Sequence, residues 1–202
     1  MSTNVDDVIS KLSTWYNFGV LLGRLGRHRA AVAAYERKLE RTPLDVTTWF
    51  NKGVELANLQ QYNEALVAYE QALTLNPQHA KALTNKAVIL MDQERYNDAL
   101  AILERVTRLS PKCVQAWYNI GVILGRRQQY DEALTTYTRV LKLRRRHVRA
   151  LCNMGEIYLR TGRYVEAKAA FTQAYRLKPS CKYAEDGYRD AVAHERAVIR
   201  QS

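Results

Sequence analysis

The chain has 202 residues, a formal net charge of +11 and three cysteines. Cys113, Cys152 and Cys181 lie far apart without zinc-like spacing, which argues against a disulfide-stapled secreted domain and for a reducing, cytoplasmic setting. Residues 1–11 carry Asp6 and Asp7, no basic stretch and no long apolar run, so neither a signal peptide nor a membrane span is expected there.

Those eleven residues read as an N-terminal extension of a first helix. A repeat array follows. Pro43, Pro77 and Pro111 step by 34 residues and Pro179 lies two steps further on, with Arg145 at the position the grid leaves empty. Setting Trp15, Trp49, Leu83, Trp117 and Leu151 in register gives five units, 12–45, 46–79, 80–113, 114–147 and 148–181. Position 8 of each unit is then small (Gly19, Gly53, Ala87, Gly121, Gly155), and position 20 is always alanine (Ala31, Ala65, Ala99, Ala133, Ala167). Small residues at both places let two antiparallel helices approach closely, one small residue from each. Position 24 is bulky (Tyr35, Tyr69, Leu103, Tyr137, Phe171) and is expected to fill the space between successive repeats. Asn63, Asn97 and Asp131 suit the N-cap of the second helix in the middle repeats; Arg29 and Val165 stand there in repeats one and five, which predicts less sharp starts. Residues 182–202 read as a capping helix whose inner side has Tyr188, Ala191, Val192 and Ile199, with Glu185, Asp186 and Glu195 among the solvent-side residues. Gly187 is expected to weaken it by about 1 kcal/mol relative to alanine.

A 34-residue period with tryptophan, glycine, alanine and proline at these offsets resembles the tetratricopeptide repeat over about Leu12 to Cys181. The resemblance implies an all-α, right-handed superhelical solenoid of helix-turn-helix units, which buries its core between neighbours rather than around one centre. It also implies a scaffold that binds an extended peptide in a concave groove.

At about 100° per residue, positions 2, 5, 6, 9, 12 and 13 of each first helix share the arc opposite the core arc. Position 6 on that inner arc reads Asn17, Asn51, Asn85, Asn119 and Asn153. Asparagine costs a helix interior about 0.5 kcal/mol relative to alanine, so five of them call for a compensating role. A carboxamide carries an acceptor and two donors, which match the N–H and C=O groups of an extended peptide. The alternative is that these amides bond to neighbouring helices with no ligand present. Around them, Tyr16, Phe50 and Tyr118 at position 5, with Val54, Val88 and Val122 at position 9, are candidate groove walls. Thr84 and Cys152 complete position 5, and Cys152 on that face reads as a small helix residue, with a redox switch the less favoured alternative.

The clamp with which some relatives grip acidic chaperone termini resembles a pattern with lysine, asparagine and arginine where this chain has Tyr16, Val20 and Asn85, so that role is not expected. His28, His79, His147 and His194 share no helix face at metal-ligand spacing. No phosphate-cradling loop or nucleophile–base arrangement appears, so no metal, no cofactor and no catalytic activity are expected.

Charge is uneven: residues 1–45 carry 7 basic and 5 acidic side chains, residues 46–113 carry 7 and 7, and residues 114–202 carry 17 and 8. Arg126, Arg149 and Arg160 on the inner arc of repeats four and five, against Glu156, predict that an acidic end of the ligand lies there. The run Arg139, Lys142, Arg144, Arg145, Arg146 and Arg149 can neutralise phosphates or be a solvated edge; nucleic acid is the less favoured partner. Self-assembly into a homo-oligomer and service as the recognition arm of a larger enzyme stay open.

Overall fold

The computed structural model describes residues 5–201. They form helices α1 (Val5–Arg24), α2 (His28–Leu39), α3 (Val46–Asn58), α4 (Tyr62–Leu75), α5 (Ala80–Asp92), α6 (Tyr96–Leu109), α7 (Val114–Arg126), α8 (Tyr130–Leu143), α9 (Val148–Arg160), α10 (Tyr164–Leu177) and α11 (Lys182–Gln201), with no strand among the described residues. The chain is an all-α solenoid of helix-turn-helix pairs. Residues 1–4 of the expected N-terminal extension, and Ser202, lie outside the described residues; from Val5 the chain is already helical.

Two compact units result, residues 1–102 and 103–202, the division falling inside α6. In the first, α1 packs on α2, α2 on α3, α3 on α4 and α4 on α5, and α3 also touches α1 and α5. The second repeats that plan, with α7 on α8, α8 on α9, α9 on α10 and α10 on α11, while α9 also touches α7 and α11. Alternate helices therefore form an inner layer within each unit.

All five position-20 alanines are fully buried. The reason for glycine at position 8 differs from the expectation. A Cβ on Gly19, Gly53, Gly121 or Gly155 would fall 2.5, 2.6, 2.6 and 2.7 Å from the ring of Tyr35, Tyr69, Tyr137 and Phe171, so the bulky residue lies flat on the glycine of its own repeat. Trp49 and Trp117 donate Nε1–H to the carbonyls of Pro43 and Pro111 at 2.7 and 2.9 Å, which ties the first helix to the loop before it.

The expected caps of the second helices are corrected. α4, α6 and α8 begin at Tyr62, Tyr96 and Tyr130, so Asn63, Asn97 and Asp131 lie inside the first turn. Gln61 and Gln129 hold the cap positions without a side-chain bond. Repeats one and five start at the equivalent residues, His28 and Tyr164, and no less sharply. The preceding turn sets the entry: Gly26, Gln60, Glu94, Gln128 and Gly162 all have φ between 59° and 73°. The N–H after each bonds five residues back, as in Gln61 to the Leu56 carbonyl at 2.9 Å and Gln129 to Leu124 at 3.0 Å. That is the Schellman end of a helix, built from backbone and needing no capping side chain.

Side chains cap three of the first helices, α3, α5 and α9, whereas α7 follows Cys113 without a side-chain bond. Asp45 accepts from the Thr48 amide at 2.9 Å, and His79 and His147 use Nδ1 to accept from Ala82 and Ala150 at 3.1 Å. At the C-terminal end, α11 buries Ala184, Gly187 and Ala191. Tyr188, expected on the inner side, is exposed, and the side chain of Ile199 lies outside the described residues. Gly187 is required rather than a weakness, because a Cβ there would meet the Phe171 ring at 2.5 Å. Glu195, expected on the solvent side, pairs with Lys168.

Candidate functional site

The five asparagines do not form a uniform row. In the first unit Asn17 is exposed, while Asn51 donates to the Tyr16 hydroxyl at 3.1 Å and Asn85 to the Tyr69 hydroxyl at 3.3 Å. In the second, Asn153 donates to Tyr137 at 3.0 Å and to Tyr118 at 3.5 Å. A tyrosine one repeat earlier therefore orients each of these three amides. Burial pushes the Tyr69 phenol up to about 12 and raises that of Tyr137 as well, so both remain neutral hydroxyls. The Oδ1 atoms of Asn51, Asn85 and Asn153 accept no hydrogen bond among the described residues.

Asn119 departs from the pattern. It is 4% exposed, its Oδ1 accepts from Gln115 at 3.0 Å, and its Nδ2 is buried with no partner among the described residues. The preceding position 24 is Leu103, which has no hydroxyl to offer. An accessible Asn119 is thus corrected to a buried one.

The wall residues are half-buried by stacking. Phe50 lies 4.9 Å from His79 and 6.0 Å from Tyr69, centroid to centroid; Tyr118 lies 5.0 Å from His147 and 6.1 Å from Tyr137. Tyr16 sits under the Lys38 ammonium, and Val54, Val88 and Val122 are half-buried. Cys152, read as lying on the ligand face, is buried at 5% exposure.

Two recesses of the second unit share Asn153. One, of about 320 Å³, has Val122, Arg126, Tyr137, Glu156 and Arg160 in its lining. In it Arg160 is paired: its Nε donates to Glu156 at 2.8 Å, and the Tyr183 hydroxyl donates to the same carboxylate at 3.1 Å. The bond from Glu156 holds the Arg160 guanidinium above its ordinary range. Arg160 is therefore not the free cation that its spacing suggested.

The other recess, about 490 Å³, brings together Tyr118, Arg144, Arg146, His147, Arg149 and Lys178, with Cys152 and Cys181 also in its lining. Arg144, Arg146, Arg149 and Lys178 are exposed and have no carboxylate partner among the described residues. His147 registers them: burial, then the charge of Arg144, then that of Arg149, lowers its pKa below the ordinary 6.5.

Tetratricopeptide repeat family profiles match residues 16–80, 56–120 and 112–180, which tile most of the chain. The chain belongs to the tetratricopeptide repeat family. No curated protein matches the sequence closely enough to count as a relative. Among solved structures it is similar to YrrB, a tetratricopeptide protein with an unusual peptide-binding site, at 23% identity over 87% of this chain and 90% of that one, TM-score 0.69. It is also similar to MamA from Desulfovibrio magneticus RS-1, at 23% identity over 85% and 97% of the two chains, TM-score 0.75. Another MamA structure matches at 20% identity over 84% and 92%, TM-score 0.71. At these identities the likeness establishes the fold.

Within this tetratricopeptide array, sequence reasoning missed the tyrosine hydroxyls that hold the asparagines and the part His147 and Lys178 take in the basic recess. The tyrosines had a readable signal: Tyr69 and Tyr137 precede the oriented Asn85 and Asn153 by sixteen residues, whereas Leu103 precedes the buried Asn119 by the same interval. Among the described residues no group of three or more His, Cys, Asp or Glu could hold a metal ion, and no helix is long and apolar enough to cross a membrane.

Proposed function

We propose that this chain is a protein-interaction scaffold whose second unit binds an extended peptide across Asn153, with an acidic group of the peptide in the recess of Arg144, Arg146, Arg149 and Lys178. The observation that carries the reading is that those four cations have no carboxylate partner among the described residues and gather beside an amide held by two tyrosine hydroxyls. Guanidinium forks suit carboxylates. Tyr118 supplies an apolar wall, and Oδ1 of Asn153 is left to accept a peptide N–H. Of the inner-arc arginines, Arg149 carries the acidic end; Arg126 and Arg160 line the neighbouring recess, where Glu156 pairs with Arg160. The first unit, with Asn17, Asn51, Asn85, Tyr16, Phe50, Val54 and Val88, would contribute backbone and apolar contacts of lower charge. YrrB is a precedent for a peptide ligand on this fold and says nothing of the residues.

A library of peptides with free or amidated C-termini and varied acidic content, screened against the full chain, tests this. Exposed ion pairs contribute only about 0–1 kcal/mol each, so charge should govern capture more than tightness. Arg144→Glu with Arg149→Glu should slow association with the selected acidic peptides at low ionic strength, and Asn153→Ala should speed their release. Unchanged kinetics in both folded variants would refute the assignment.

A further inference from the structure

We propose that Cys152 and Cys181 form a redox-modifiable dithiol, a site that anionic low-molecular-weight disulfides convert to an intramolecular disulfide bond. The inference does not depend on the peptide reading. Cys152 is position 5 of its repeat and Cys181 is position 34, the residue just before α11. Those two positions meet in other repeats of the chain: Phe50 and His79 stack with centroids 4.9 Å apart, and Tyr118 and His147 at 5.0 Å. Only in the last repeat are both cysteine. There Cys181 packs against the buried cluster that contains Cys152, and both residues line one recess. Burial, and then the neighbouring Cys181 thiol, pushes the Cys152 thiol up to about 12.

The environment assigns an order to the chemistry. Cys152 is buried and holds its proton, whereas Cys181 is half-exposed, so Cys181 is the attacking sulfur. Its thiolate attacks one sulfur of the incoming disulfide, forms a mixed disulfide and expels the other half as a thiolate. Cys152 then gives its proton to solvent and attacks the Cys181 sulfur, which releases the second half. Two cysteines are oxidised, and one disulfide is reduced to two thiols. The Cys152 step is favoured by adjacency and slowed by its raised pKa, so ring closure should quicken as pH rises. Arg144, Arg146, Arg149 and Lys178 around the recess favour an anionic oxidant, of which oxidised glutathione is the accessible example. Cys113, whose matching position is Thr84, is the internal control.

The test treats the reduced full-length chain with oxidised glutathione, quenches with an alkylating reagent, and reads intact mass and peptide maps. The expected product has lost two hydrogens, carries a Cys152–Cys181 linkage and retains an alkylatable Cys113. Cys152→Ala and, as a second variant, Cys152→Ser should instead hold a persistent glutathione adduct at Cys181, with unchanged helical circular dichroism. Cystamine, a cationic disulfide, should react several-fold more slowly at low salt, a gap that closes at high salt. A persistent adduct on the parent chain, or a linkage through Cys113, would overturn the dithiol; equal rates with the two oxidants at low salt would overturn the preference for anions.

Discussion

The two units share one packing scheme and differ in charge. Residues 1–102 hold 11 basic and 11 acidic side chains, whereas residues 103–202 hold 20 and 9, so the whole net charge of +11 belongs to the second unit. The contrast is sharpest at two equivalent corners. His79 and His147 cap α5 and α9 alike and stack on Phe50 and Tyr118 alike, yet the register positions filled by Arg144, Arg146 and Arg149 in the second unit hold Asn76, Gln78 and Lys81 in the first. Fold and charge occupy different positions of the repeat. Substitutions at packing positions should therefore act alike in both units, and substitutions at the loop positions should not.

The largest effect is expected at position 8. Gly53→Leu and Gly121→Leu each drive a side chain into a ring that a bare Cβ would already meet at 2.6 Å. Overpacking of this kind costs about 1–3 kcal/mol or more, and in an array each repeat also supports its neighbours. Thermal melts should drop by similar amounts for both variants. A melt unchanged in either would mean that the aromatic ring can swing away at little cost.

The asparagines come next and should separate. Asn85→Ala removes a bond to Tyr69 and leaves a buried phenol without its partner, a loss of about 0.5–1.5 kcal/mol. Asn119→Leu removes a buried Nδ2 that has no partner, so its cost should be offset and stability should stay level or rise, despite the lost bond to Gln115. Denaturant titration of the two variants measures the difference. Equal losses would mean that Asn119 is satisfied by ordered water.

This difference also marks what the sequence could and could not convey. Helix pairing, the 34-residue register and the small positions were legible because packing is periodic: Gly53 and Ala65 must be small wherever the repeat recurs. The reading of Asn119 failed because its environment depends on what another helix offers, leucine rather than tyrosine, and a position-by-position register hides such pairs. The cap residues Asn63, Asn97 and Asp131 misled for a related reason, since a backbone turn did the work their side chains were expected to do. The basic recess was half legible. Arg149 was assigned from its inner arc, whereas Arg144, Arg146 and Lys178 come from loops, where helical periodicity gives no direction. Cys152 and Cys181, 29 residues apart, were legible only as separate thiols.

A smaller effect concerns pH. In the first unit, burial alone would raise the Asp45 carboxyl, but Lys38 and the Thr48 amide hold it below the ordinary 3.8. Its cap is stabilising above that value and is lost only as pH falls below it. The His147 pKa is lowered from 6.5 by burial, Arg144 and Arg149. The unfolded chain therefore takes up that proton first, and the contribution is complete above about pH 6.5 and lost as pH falls through the lower folded value. Protonated Nδ1 can no longer accept from Ala150. Hydrogen exchange should show the Ala150 amide losing protection in mildly acidic solution while the Thr48 amide keeps it. Arg144→Asn with Arg146→Gln, which copies the first unit, should move the His147 titration back toward 6.5 by NMR. An unmoved titration would leave burial and Arg149 as the causes of the shift.

The smallest effect lies in the turn that both units share. Gln60 and Gln128 adopt φ of 61° and 62°, the left-handed region where a Cβ crowds the following carbonyl, while Gly26 and Gly162 occupy the same turn at 71° and 73° with open space around them. Gln60→Gly and Gln128→Gly relieve that crowding and give back part of the gain as unfolded-state entropy, leaving a net stabilisation of about 0.5 kcal/mol each. Gly162→Ala works in the opposite direction, by about 1 kcal/mol, because the turn conformation is the incompatible one for alanine. Both glutamines are uncharged and exposed, so the basic surroundings of the second unit should not enter. Equal gains at Gln60 and Gln128 in denaturant titrations would keep charge and fold on separate positions of the repeat; a gain at Gln128 that grew with salt concentration while that at Gln60 did not would show that the charge of the second unit reaches its turns.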